Sequence, residues 1–468
     1  MKENIRSALY DGFTEPVRDP LWGHIYLSPG LLALTESAPF MRLHRIMQLG
    51  PTYRVYPGAT HTRAGHSLGV YHLARRLLIH LAEKGADSWL SPGGVRSFLC
   101  AALLHDLGHF PYTHSLKELP LEEHETLTGR LILSEPVRSL AYAAGAEPEF
   151  AAAIVDTKTE SGDEEILFYR RLLSGSLDPD KLDYLSRDGR YCGVPYGAQD
   201  VDFVFSRLHP HRERGVDIDH RGIPGVESLL FSKYLMYRSI YWHKAVRSAT
   251  AMVKKALLYG LNSGLMKGEE LYHLDDQGLY ELVQDLVQEN TIYLKENRGG
   301  ENRDKGYGGA GNEGGGRDEE KVLLLVDAVK NGRLYECAAE IKFDEELHSR
   351  LPDLSLRSGL EANLAAELSG VLGREIKPRE LIVDLPEPVS FESGLFVLDE
   401  DCSFAESSSA FKSGLVENFV SSLRIIRIFI DGYNSRGDGD DEIGGAGGDG
   451  GKTNKKEILQ ICEKWLKM

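Results

Sequence analysis

A chain of 468 residues with 42% hydrophobic and 27% charged side chains carries enough apolar material for a large core, in two or three structural units. Its formal charge of −17 excludes an extensive nucleic-acid or anionic-membrane surface, while leaving room for a small basic pocket that takes a phosphorylated metabolite. No apolar run approaches the ~20 residues of a membrane-spanning helix, and the first residues lack the apolar stretch of a secretory signal. With five scattered cysteines and no CxxC pair, these features predict a cytoplasmic protein with reduced thiols.

In chain order the pattern is mainly α. Leu68, Tyr71, Ala74, Leu78 and Leu81 recur at helical spacing, as do Val95, Phe98, Ala102 and Leu103. His105 continues the apolar face of Phe98, Ala101 and Ala102 and is expected to point inward, with Asp106 at a helix end that Gly108 can stop. A further helix is predicted from Asp178-Pro179, because Asp is a favoured N-cap and Pro a favoured first helical residue. Phe231–Leu258 contains neither Pro nor Gly and reads as one helix. Glu380–Asp384 and Leu395–Leu398 read as short strands. Gly299–Gly316 and Gly437–Gly451 are glycine-rich and almost devoid of large apolar side chains, so burial cannot offset their ordering entropy and both are expected to be flexible insertions. The expected organisation is a helical core (1–270), a helical connection (271–298), an insertion (299–320), an α+β unit (321–435), a second insertion (436–452) and a terminal helix (453–468).

Several of the sixteen histidines gather in three stretches: HTRAGHSLG (His61–Gly69), LLHDLGHFPYTH (Leu103–His114) and LDPDKLDYLSRD (Leu177–Asp188). Imidazole and carboxylate together suit a divalent metal such as Mn, Fe, Zn or Ni, whereas Mg alone prefers oxygen ligands. A buried carboxylate beside a buried histidine is costly unless a cation neutralises it. An isolated His-Asp pair is as well explained by a histidine on a backbone carbonyl and a turn-capping aspartate, so the wider set has to carry the argument.

His66, the His105-Asp106 pair and a later Asp on a helix resemble the H…HD…D signature of the HD superfamily. Gln48–Gly69, HDLGHFPYTH and DPDKLDYLSRD resemble the deoxynucleoside triphosphate triphosphohydrolases within it, and LIVDLPEP (Leu381–Pro388) is similar to their small C-terminal unit. The likeness runs through most of residues 18–250. It implies an all-helical HD-domain core with a C-terminal α+β appendage, and hydrolysis of a deoxynucleoside triphosphate to deoxynucleoside and inorganic triphosphate. Related activities on a nucleoside monophosphate, a cyclic dinucleotide or a guanosine polyphosphate, and a nucleotide sensor with lost turnover, are the alternatives.

Carried over by position, the metal ligands are His66, His105, Asp106 and Asp180, holding Mn, Fe, Zn, Ni or Mg. Asp178 and Asp183 compete for the last place, but Asp178 is accounted for as a cap and the family motif sets the ligand just before Lys181. His109, His114 and His124 match catalytic histidines, which can orient water or protonate a leaving oxygen. Arg63, Lys181 and Lys233 match phosphate contacts, with Lys233 in place of the usual arginine. Gln48, Tyr184, Asp188 and Tyr241 match residues that contact or enclose the sugar. Asp180, Tyr184 and Arg187 share one face of their helix by spacing. Trp242 stands where a polar base contact is common. Lys117 stands where the family has a carboxylate for the histidine at 114, leaving Glu118 or Glu122 to supply it. A dimer or tetramer is implied, and Glu36–Arg45 matches a segment that in some relatives binds an activating nucleotide, Glu36 and Arg42 keeping its character and Met41 and His44 departing from it.

Overall fold

The computed structural model describes residues 1–298, 323–391, 393–433 and 450–467. Gly299–Gly316 therefore lies outside the described residues, as does Gly437–Gly451 except for its last two glycines, which open the helix Gly450–Leu466.

The core is helical, as expected, and three helices frame the site. Arg63–Glu83 buries Leu68, Tyr71, Ala74, Leu78 and Leu81, the face set by the spacing. Against it pack Pro92–Leu104, started by the Ser91 hydroxyl accepting from the Gly94 amide, and Pro179–Cys192, started by Asp178 accepting from the Lys181 amide at 2.7 Å. Gly69 permits that second contact, because a Cβ there would sit 1.9 Å from an Asp183 carboxylate oxygen. Gly108 is not a helix stop, since the helix already ends at Leu104 with His105 as its cap. It instead lets the chain pass the helix His124–Ile132, where a Cβ would lie 2.3 Å from the His124 carbonyl oxygen.

The single helix expected over Phe231–Leu258 is two. Ile223–Met236 runs into a π turn, Tyr237–Tyr241, and a break at Trp242 and His243 precedes Lys244–Asn262, whose first turn the His243 ring caps. Lack of Pro and Gly allows a continuous helix but does not enforce one, and π turns are frequent where side chains serve a site.

Short hairpins that helical periodicity does not reveal flank the core: β1 (Glu15–Asp19) with β2 (Gly23–Leu27), and β3 (Leu208–His211) with β4 (Gly215–Ile218). In the C-terminal unit, β5 (Glu336–Lys342), β6 (Leu381–Asp384) and β9 (Ile425–Ile430) form an antiparallel sheet in the order β5-β9-β6. Ile426, Ile428 and Ile430 face the helices Leu354–Leu372 and Gly450–Leu466, while Phe429 and Ile382 face Lys244–Asn262, so the sheet is buried on both sides. Residues 395–403 return to the core instead. There β7 (Phe396–Val397) pairs in parallel with β4 through Ile218 and Val397, and β8 (Cys402–Ser403) pairs with β7. Core and appendage thus share a sheet and a boundary, and the site lies along that boundary.

Candidate active site

His66 is fixed from both sides of its ring. Nδ1 lies 2.8 Å from Asp183 Oδ2, and Nε2 lies 2.9 Å from Asp180 Oδ1. Asp183 is itself held by the Arg187 guanidinium at 2.8 and 2.9 Å and by the Trp22 indole at 2.6 Å, and Arg187 reaches on to Asp19 at 2.8 Å. The three aspartates of the 178–183 stretch therefore divide their tasks: Asp178 caps, Asp183 orients the imidazole, and Asp180 faces the opening beside His66. Arg187, expected on the same presenting face as Asp180 and Tyr184, is fully buried in this ion pair and does not reach the cavity.

His105 Nδ1 lies 3.0 Å from the Ala102 carbonyl, so its buried Nε2 points without a hydrogen bond toward Asp106 Oδ1 at 3.4 Å and Asp180 Oδ1 at 3.9 Å. Asp106 Oδ2 accepts from Arg63 Nη1 at 2.7 Å. Donor atoms of His66, His105 and Asp106 all lie within 4.8 Å of one another. Burial resists charge on Asp106, yet His109, His105 and Arg63 hold its carboxyl well below the usual range. His66 is also buried, and Asp180 and Asp183 still raise it to about 10. The carboxylates thus demand positive charge at this point, which a divalent metal supplies as well as a proton. An orphaned buried nitrogen, two converging carboxylates and a second imidazole fit such an ion.

Behind this group His109, His114 and His124 pack together. His109 Nε2 lies 3.2 Å from His114 Nε2, and the His109 and His124 ring centroids are 3.9 Å apart. His109 Nδ1 lies 3.2 Å from Asp106 Oδ1, and a second set of donors, from Asp106, His109 and His124, also falls within 4.8 Å. Burial, followed by the Arg63 charge, pushes both His109 and His114 well below the usual imidazole range. Neither expected carboxylate serves His114. Glu118 is clamped by Lys254 and by Arg357 at 2.7 Å, and Glu122 pairs with Arg130. The carboxylate present is Glu125, 3.0 Å from His124 Nδ1 and held at about 2, where His124 outweighs burial. Its adjacency to His124 in the sequence was the one available signal.

These groups open on a cavity of 580 Å³, which Arg63, His66, His105, Asp106, His114, His124 and Asp180 line. Gln48, Tyr184, Asp188, Lys233 and Tyr241 line it too. The Tyr241 hydroxyl donates to Asp188 Oδ2 at 2.6 Å, and Asp188 Oδ1 lies 2.7 Å from His61 Nε2, a ring that stacks on Tyr191. Lys181 does not line the cavity; its ammonium turns back to Asp178 and to the Gly175 carbonyl at 2.9 Å. Lys233 donates to the Ser390 carbonyl at 2.7 Å, and burial and the neighbouring Lys181 lower it to about 8.

Several wall residues had no role assigned from the sequence. Tyr237 and Trp242 come from the π turn and the break after it, with ring centroids 5.2 Å apart. Arg247 forks onto Asp384 at 2.8 and 2.6 Å, and Leu385–Ser390 continues from β6 along the cavity rim. LIVDLPEP was the signal for this segment. In Glu36–Arg45, Glu36, Met41 and His44 are exposed, but Arg42 is buried and donates to the carbonyls of Leu107 at 2.7 Å, His109 at 2.6 Å and Leu274 at 2.9 Å. It braces the loop after Asp106 and is not available to a second ligand.

Residues 63–188 match the HD domain family, and residues 206–297 match the HD associated region. The uncharacterized protein YwfO of Bacillus subtilis is 35% identical over 243 residues, covering 51% of this chain and 54% of that protein. The deoxynucleoside triphosphate triphosphohydrolase SAMHD1 of Homo sapiens is 29% identical over 274 residues, covering 52% of this chain and 44% of that protein. The chain thus spans about half the length of the curated relatives it matches. A hypothetical protein from Aquifex aeolicus superposes with a TM-score of 0.60 at 24% identity, over 89% of this chain and 96% of its own. A phosphohydrolase from Bacteroides thetaiotaomicron does so with a TM-score of 0.60 at 22% identity, over 90% and 100%. At those identities the likeness concerns the fold. Among the described residues no helix is long and apolar enough to cross a membrane.

Proposed function

Since residues 63–188 place this chain in the HD superfamily, we propose that it is a metal-dependent phosphohydrolase that splits deoxynucleoside triphosphates into deoxynucleoside and inorganic triphosphate. The observation that carries this reading is that one cavity of 580 Å³, a volume ordinary for a nucleotide-sized ligand, holds both the His66/His105/Asp106/Asp180 group and the Asp188–Tyr241 pair. Similarity to SAMHD1 over half the chain adds weight.

His66, His105, Asp106 and Asp180 would hold the metal. Such an ion, when bound, lowers the pKa of water and withdraws charge from a phosphoryl oxygen. Asp183 keeps the His66 ring oriented, and Arg63 fixes one oxygen of Asp106. Water attacks the phosphorus nearest the sugar, the bond to the 5′ oxygen breaks, and that oxygen gains the proton that water loses. His114, open to the cavity, accepts or delivers that proton, with His109 behind it and His124 beside it on Glu125. Lys233 and Arg63 attract the phosphates, while Gln48, Tyr184 and Tyr241 enclose the sugar, Tyr241 being oriented by Asp188. Assembly into a dimer or tetramer belongs to the same proposal.

The test is product analysis with a panel of ribo- and deoxynucleotides in Mn or Mg. Triphosphate from deoxynucleotides, abolished by chelation, is the expected result. Orthophosphate or pyrophosphate would redirect the assignment to another nucleotide phosphohydrolase. That Glu118 and Glu122 are both paired elsewhere, leaving His114 without a carboxylate among the described residues, favours a second reading, a nucleotide sensor, which binding without any product would establish.

A further inference from the structure

We infer that Lys117 forms an additional anion subsite, beside His114, for the outermost phosphate of a polyphosphate chain. This rests on the proposed polyphosphate substrate and extends it to a residue with no assigned role. The other cations on the cavity wall each have a protein partner, a carboxylate for Arg63 (Asp106), Arg247 (Asp384) and Lys254 (Glu118), and the Ser390 carbonyl for Lys233, which keeps its charge for the phosphates. Lys117 lines the same cavity and has no hydrogen bond or ion pair among the described residues.

Its position is not that of a loose surface lysine. Leu116 and Leu119 on either side are buried in the cluster that joins core and appendage, and the Leu119 amide closes a turn on the Leu116 carbonyl at 2.9 Å. Glu118 is clamped between Lys254 and Arg357. With residues 116, 118 and 119 all directed into packed structure, the Lys117 side chain is left to project into the cavity. Its charge acts on His114 and on Glu125, but Glu125 is taken by His124. An ammonium that lines the cavity without a hydrogen bond or ion pair among the described residues is matched by an anion supplied from outside. The charge of Lys117 acts on His114 and Glu125, whereas the charges that act on Asp106 are those of His109, His105, Arg63 and His66, so the phosphate assigned to Lys117 is one farther along the chain than the phosphate that reacts.

The test is calorimetric titration of the Mn-loaded full chain with inorganic triphosphate and with pyrophosphate. Lys117→Ala should weaken triphosphate by about tenfold, as for loss of a charge-assisted contact, and leave pyrophosphate within roughly twofold; Lys117→Arg should bind both as the unaltered protein does. Equal losses for the two anions, or no loss for either, would overturn the subsite, since a diffuse field does not count phosphates. If the unaltered protein binds neither anion, the polyphosphate reading falls and takes the subsite with it. Triphosphate binding that Lys117→Ala leaves intact removes the subsite alone. Lys117 is exposed, so a metal content equal to that of the unaltered protein verifies that each variant is folded.

Discussion

The two walls of the cavity are built differently. On one, His66, His105, Asp106 and Asp180 stand on helices or at their ends, and each is fixed by a partner close at hand: Asp183, the Ala102 carbonyl, Arg63 and His66. On the other, Lys233 and Arg247 meet Asp384 and the Leu385–Ser390 segment only because the appendage packs back on the core. Donors in the first wall are already held by their protein partners, so a single substitution there should disable the site. Residues of the second wall depend on pairs that cross from core to appendage, and single changes there should grade an activity without abolishing it.

The sharpest way to break this contrast is at the ligand wall. His105→Ala or Asp106→Ala should remove bound metal and turnover together, and full metal occupancy in either by elemental analysis would refute the site. Next, His114→Ala should keep its metal and still bind nucleotide while kcat falls by about 100-fold or more, the usual scale for a proton-transfer group; an unchanged single-turnover rate would move that role to His109 or His124.

Glu118 ties the two walls together, so it tests whether the seam between them is structural. Glu118→Gln leaves Lys254 and Arg357 without their buried counter-charge and should cost about 3 kcal/mol in urea unfolding at neutral pH. Burial would raise this carboxyl, but Lys254 and Arg357 hold it down to about 2. Being depressed in the folded state, it contributes stability that is present in full above its ordinary value near 4.5 and is lost as pH falls toward 2. The gap between variant and parent should therefore close over that acid range; a gap independent of pH would show that shape, and not charge, is at work.

On the second wall Tyr241→Ala should narrow the preference for deoxy- over ribonucleotides by about tenfold, read as kcat/KM for dGTP, GTP, dATP and ATP. Equal rates on both sugars by the unaltered protein would remove the substrate assignment and leave the metal site standing. The smallest effect belongs to Asp178→Asn. Asparagine still caps, so metal content should be unchanged and stability should drop by about 1 kcal/mol or less, and a metal-free variant would reopen the choice between Asp178 and Asp180.

Much of this was legible in the sequence for local reasons. The helix start at Asp178-Pro179 and the inward face of Pro92–Leu104 follow from capping and spacing, which act over a few residues, whereas the grouping of His66 with His105 and Asp106 was what the family resemblance implied. The continuous helix through Phe231–Leu258 failed on the same ground, because local preference permits a π turn that only the surroundings require. Hairpins of four or five residues escaped because their alternation is too short to stand out from helical periodicity.

What the sequence by itself determined is the helical pattern of the core, and the family resemblance it carries named two imidazoles, two carboxylates and a cluster of further histidines upon it. Only the tertiary structure decided which charge each of them meets. Spacing placed Arg187 beside Tyr184, but the hairpin carrying Asp19 and Trp22 drew it inward. The family resemblance offered Lys181 as a phosphate contact, but Asp178 and the Gly175 carbonyl hold it. Arg42 went to the loop after Asp106, Glu118 went to the appendage, and Lys117 kept its charge free for the cavity. The reason is that helix faces are fixed by a 3.6-residue period along one segment, whereas the partner of a charged group is whichever element packs within about 3 Å of it, and that element can come from anywhere in the chain.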